Sequence, residues 1–235
     1  APSVNELYSE GVHHGTAQYE IGDRTLKPER AFSWDANLKV NTYHTSSEIG
    51  VYAHYFDGYI YTQPSLTSIL TLRGAFPVFQ YRQTSALIAG IDANTSLFLT
   101  DYYRADLSLS WIYGQNLDAK VPLFQIPAPR GKIINHFHIP DIGTFYHNYV
   151  ELGGQFVARQ ARFPENGDYV NPPIGYVLFD MAAGTEIPLS ESHKMHLNIG
   201  VQNLLNKDYR DYLSRFRYFI ADTGINFILR VRIPF

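Results

Sequence analysis

The fold is decided by the stretch Ala31-Phe32-Ser33-Trp34-Asp35-Ala36-Asn37-Leu38-Lys39-Val40-Asn41-Thr42-Tyr43. Phe32, Trp34, Ala36, Leu38 and Val40 are apolar, while Ser33, Asp35, Asn37, Lys39 and Asn41 between them are polar. A strand turns successive side chains to opposite faces, so this segment has one apolar and one polar face. A helix would scatter the apolar set around its cylinder. The same period of two runs through Ala105, Leu107, Leu109, Trp111 and Tyr113, and through Met195, Leu197, Ile199 and Val201. It returns in Val177, Phe179, Met181 and Ala183, and at the far end in Ile225, Phe227, Leu229, Val231, Ile233 and Phe235. Less regular strands are expected at about 49–62, 77–98, 130–139 and 146–161, which makes about nine in all.

Composition narrows the class. The 235 residues are 45% hydrophobic and carry 19 basic against 22 acidic side chains, for a net charge of −3. A near-neutral balance argues against a nucleic-acid partner. The absence of cysteine excludes a disulfide scaffold and thiolate metal ligands. No apolar run is long enough for a transmembrane helix, and no signal peptide is visible. Eighteen Tyr and 15 Phe are many for such a chain.

The links between strands resolve this. Short ones fall near 44–48, 99–104, 140–145 and 188–193, and long ones near 57–76, 116–129, 162–175 and 206–223. A soluble β-sandwich has no reason to alternate loop lengths in this way. An outer-membrane barrel does, with short periplasmic turns and long extracellular loops. The clearest strands also exceed the soluble norm of about 5–6 residues, and about 9–11 tilted residues cross a bilayer core. Tyr43, Tyr59, Tyr61, Tyr102, Tyr103, Trp111, Tyr113 and Tyr176 fall at strand ends, where an interfacial girdle places aromatics. The expected fold is therefore all-β: an antiparallel transmembrane β-barrel segment. Residues 1–30 form an extracellular loop and 31–235 supply the wall. An odd set of strands leaves edges that lipid does not tolerate, so the rest of the barrel is expected from elsewhere.

Both ends of the chain carry a family likeness. Ala1-Pro2-Ser3-Val4-Asn5-Glu6-Leu7, Gly11-Val12-His13-His14-Gly15-Thr16, Tyr19-Glu20-Ile21-Gly22 and Leu26-Lys27-Pro28-Glu29 resemble the mid-barrel segment of TonB-dependent outer-membrane receptors. Val201-Gln202-Asn203-Leu204-Leu205-Asn206-Lys207-Asp208-Tyr209 and Tyr212-Leu213-Ser214-Arg215 resemble their last hairpin. The middle fits too, in Gln83-Thr84-Ser85-Ala86 and Ile126-Pro127-Ala128-Pro129-Arg130. The resemblance implies the last nine or so strands of a 22-stranded barrel with a plugged lumen. It implies as partners outer-membrane lipid, a plug domain with the remaining strands, the TonB complex acting through that plug, and the barrel-assembly machinery, which recognises Phe235. The implied location is the outer membrane of a Gram-negative bacterium.

The implied activity is TonB-dependent uptake of a scarce metal-containing substrate, whether ferric siderophore, haem or zinc. The other class of function that fits is a surface adhesin or structural barrel binding protein or glycan through its loops. His13 and His14, beside Glu10, Glu20 and Asp23, combine imidazole and carboxylate as a metal site does. The same run equally suits an element that shapes the loop whatever the substrate. Haem receptors of the family carry an Asn-Pro-Asn-Leu box; here Asp23-Arg24-Thr25-Leu26 keeps only the leucine. His54, His136, His138, His196 and Arg159 are expected to face the lumen. No intrinsic cofactor is expected; any metal or metal chelate is cargo. No hydrolase, zinc-protease, dinucleotide or phosphate-loop motif occurs, so no enzyme is expected.

Overall fold

A computed structural model describes residues 1–190 and 193–234. In chain order the elements are α1 (Val4–Tyr8), β1 (Glu10–His13), β2 (Gln18–Ile21), β3 (Arg30–Asn41), β4 (Thr45–Thr71), β5 (Gly74–Thr100), β6 (Tyr103–Asn116), β7 (Val121–Pro122), β8 (Arg130–Ile139), β9 (Tyr146–Val157), β10 (Tyr176–Pro188), β11 (Lys194–Gln202) and β12 (Asn226–Arg232). Nine of them form a continuous antiparallel wall in the order β3-β4-β5-β6-β8-β9-β10-β11-β12, open at β3 and β12. No described helix is long and apolar enough to cross a membrane. The expected terminal signal, Phe235, lies outside the described residues.

Register turns alternation into two continuous faces. Leu38 pairs with Ile49, which pairs with Ala93, which pairs with Leu109. Beside them Asn37, Gly50, Asp92 and Ser110 pair on the polar face. The apolar face stays exposed: Trp34 at 55%, Leu109 at 63% and Leu229 at 69%. Exposure of that extent along a whole sheet face is what a lipid-facing wall presents.

The structure corrects two expectations. The long link near 57–76 is strand, because β4 runs to Thr71 and β5 starts at Gly74. Two bulges, between Phe56 and Tyr59 and between Pro64 and Ser68, put extra residues into β4. Gly58 and Leu66 take positive φ there. A bulge erases the period of two while the ladder continues, so the sequence reads as loop. The strand expected over 146–161 ends at Val157, because Ala158 faces Pro129, which has no amide to return the pairing, and the Gln160 side-chain amide donates to the Ile126 and Pro127 carbonyls. Arg159 thus lies beyond the wall strand. Residues 1–30 hold a helix and a hairpin; Ser3 and Glu6 close a reciprocal capping box on α1.

Where the polar face carries apolar side chains, a loop covers them. Leu123 and Ile126, in the link after β6, pack on Ala86, Ile88 and Ile112. They fit because Gly114 has no side chain: a Cβ there would collide with Ile126. Gly114→Val should cost about 1–3 kcal/mol through this overpacking. The check is urea unfolding of the receptor in detergent, and an unchanged midpoint sinks this account of the glycine.

Candidate functional site

The best-buried part of the chain lies beyond the wall, where its long connections meet. The β1–β2 hairpin lies against β5 through a parallel pairing of Tyr19–Ile21 with Val78–Gln80, carrying the sheet above the last residue of β6. At its centre Phe79 is fully buried between Phe124, Tyr169 and Tyr218, with ring centroids 6.2, 5.7 and 6.3 Å away. The Tyr169 hydroxyl donates to the carbonyls of Thr67 and Val78, at 2.6 and 2.7 Å, and the Val78 amide donates to it. A single phenol therefore ties the link after β9 to the β4–β5 hairpin.

Arg217 locks the assembly. It is 1% exposed, pairs with Asp168, and lies over the rings of Tyr212 and Tyr218 at 4.5 and 4.9 Å. Asp168 also accepts from the Tyr218 hydroxyl at 2.7 Å. Burial pushes the Tyr218 phenol up, partly opposed by the Arg217 charge, so it stays a donor. Nearby, Arg215 donates to the buried Gln18 at 3.2 Å, which fastens the β1–β2 hairpin to the last long link.

The loop residues singled out from sequence do not converge. His13 Nδ1 sits 3.2 Å from the Thr16 hydroxyl. His14 Nε2 is 2.8 Å from Arg73 Nη1. A guanidinium only donates, so His14 accepts through Nε2. Glu20 is buried and accepts from Tyr81 at 3.0 Å; burial and that carboxylate push the Tyr81 phenol up to about 12. Hydrogen bonds from the Thr25 side chain and amide hold Asp23 below the usual carboxylate range. Glu10 is exposed on β1. Among the described residues no group of three or more His, Asp or Glu is arranged to hold a metal ion.

The four strand histidines stand on the polar face. His136 bridges two neighbouring strands, with Nε2 2.7 Å from Asp106 and Nδ1 3.0 Å from Glu151. Arg104 adds an ion pair to Asp106 at 3.1 Å. His196 contacts Glu186 at 3.4 Å, and Lys194 contacts the same carboxylate at 3.4 Å. His54 stacks on Tyr52, 3.9 Å from Asp35. His138 pairs in register with Tyr149 rather than sharing a ligand with His136. Sequence reading missed Arg217, Asp168 and Phe79. They lie in links or in the extended part of a strand and follow no period.

A wall apolar on one side and charged on the other, crowned by interlocked loops, defines a membrane-spanning β-barrel with a polar interior. The description "TonB dependent receptor-like, beta-barrel" matches residues 1–204, and the chain belongs to that family. Among solved structures it is similar to the copper transporter OprC, with a TM-score of 0.75 and 21% identity over 98% of this chain and 35% of that one. The siderophore receptor PirA from Acinetobacter baumannii gives 0.61 and 16% over 91% and 33%. The FrpB iron transporter from Neisseria meningitidis gives 0.64 and 16% over 90% and 31%. At these identities the likeness is one of fold, and the chain spans about a third of their length. No curated protein matches the chain.

Proposed function

We propose that this chain belongs to an outer-membrane receptor that takes up a metal ion or metal chelate, driven by TonB through a plug domain in the lumen. The observation that carries the reading is the pairing of an exposed apolar face with a charged inner face bearing Arg104, Asp106, His136 and Glu151. Such a face suits a hydrated, hydrogen-bonding plug and a polar cargo. Copper joins the candidate cargoes through the likeness to OprC, beside iron, haem and zinc. His13 and His14, at the exposed end of the β1–β2 hairpin, are the first imidazoles such a cargo meets.

The test is uptake by cells carrying the receptor, using labelled copper, zinc, haem and a ferric siderophore, with and without TonB. One cargo should accumulate only when TonB is present. Equal accumulation of every cargo in both strains overturns the proposal, and loop-mediated binding of protein or glycan without uptake is the adhesin outcome. In a His13→Ala/His14→Ala variant, undiminished binding of every cargo removes these histidines from the site.

A further inference from the structure

We infer that the outer surface of this barrel carries a binding cleft for the phosphorylated sugar headgroup of a membrane lipid, built where β3, β4 and β5 leave the apolar band. The row Phe32, Tyr55 and Leu87 is the last apolar row of that face. One step further toward the extracellular end, on the same side by alternation, come Arg30, its partner Asp57 and Ser85. Here a cleft of about 560 Å³ opens, lined by Lys27, Arg30, Asp57, Gln83, Ser85 and Asp118.

The cleft is built. Gln83 holds the crossing segment over it with three bonds: its Oε1 accepts from the Lys27 amide at 2.9 Å, and its Nε2 donates to the Lys27 and Gly58 carbonyls at 2.6 and 2.7 Å. Gly58 has φ +80, and a side chain there would meet the Gln83 amide, so the bulge that admits Gln83 also shapes the floor. The Glu29 carboxylate accepts from the Ile60 amide at 2.6 Å and anchors the same segment. Asp118 is committed to the Ser85 amide and Thr84 hydroxyl, at 2.7 and 2.9 Å, which hold it below the usual carboxylate range.

The lining then selects its ligand. No carboxylate lies within ion-pair distance of Lys27 or Arg30 among the described residues, so both are open to a phosphate. Two cations beside two carboxylates balance, which does not suit a polyanion. Phosphate on the cations, with sugar hydroxyls donating to Asp57 and to the Asp118 oxygen not engaged by Ser85 and Thr84, uses every charge in the cleft. Because Arg30, Asp57 and Ser85 share the side of the lipid-facing row Phe32, Tyr55 and Leu87, the occupant comes from the surrounding leaflet. Cargo in the lumen does not reach it, so this inference stands or falls apart from the uptake proposal.

The experiment is native mass spectrometry of the receptor, released from its own outer membrane in mild detergent. A phosphoglycolipid should stay bound to the wild type and be lost from Lys27→Ala/Arg30→Ala, while Lys27→Arg/Arg30→Lys retains it. Lys39→Ala, on the opposite face, serves as the control and keeps the lipid. All variants must show the heat-shifted gel mobility of the folded barrel. Retention of lipid by the alanine variant overturns the cleft. So does equal displacement of the lipid by a soluble sugar phosphate, which would make the acyl chains irrelevant.

Discussion

Replacing Arg217 by Met should cost about 3–5 kcal/mol of loop-layer stability, because it leaves the Asp168 carboxylate buried without its cation. Asp168 keeps the Tyr218 hydroxyl and the Tyr169 amide, two neutral donors that do not replace the lost cation. The damage should stay local, since nothing in the wall depends on Arg217. Hydrogen exchange should therefore accelerate across the links after β9 and β11, and around Val78, while the β5–β6 ladder exchanges as before. Removing both partners in Asp168→Leu/Arg217→Met should be milder than removing one, because no charge is then stranded. A double variant as damaged as the single one means that the cation's stacking on Tyr212 and Tyr218, and not the ion pair, holds the layer.

Phe79→Ala should be about as severe, at about 3–5 kcal/mol for a fully buried aromatic. Three rings from three separate links converge on Phe79, so its removal opens a cavity they share. Phe79 and Arg217 both contact Tyr218, so the two substitutions should not add. Proteolysis of the link after β9 is a direct check. Resistance equal to wild type in Phe79→Ala contradicts the view of this residue as the centre of the loop layer.

The two halves of the molecule differ in how they are written in the sequence. The wall was legible because each wall strand repeats one decision at every second residue: Phe32, Trp34 and Leu38 outward, Ser33, Asp35 and Lys39 inward. Errors arose where hydrogen bonding persists without alternation, at the two bulges of β4. They arose also where β2 joins β5 in parallel, a pairing no local pattern announces. The loop layer was illegible for a different reason. Gln18, Phe79, Asp168 and Arg217 become neighbours only through tertiary folding, and each alone reads as an ordinary residue. The histidines show the converse limit. Chemistry and spacing drew attention to His13 and His14, yet folding gave each its own neighbour, Thr16 and Arg73.

The long β4–β5 hairpin also bears on how such a barrel is assembled. Gly74–Ser85 of β5 continues past the last apolar row for roughly 40 Å, at about 3.3 Å per residue. Its tip must pass the hydrocarbon layer once, from the periplasmic side, to reach its final place. Leu66–Val78 carries only Arg73 as a charge, whereas the link after β11 carries Lys207, Asp208, Arg210, Asp211, Arg215, Arg217 and Asp222. Each charge taken to the bilayer centre costs on the order of 3 kcal/mol. The exposed Leu66, Leu70 and Leu72 are thus economical in transit, and this hairpin is the extracellular element least obstructed during insertion.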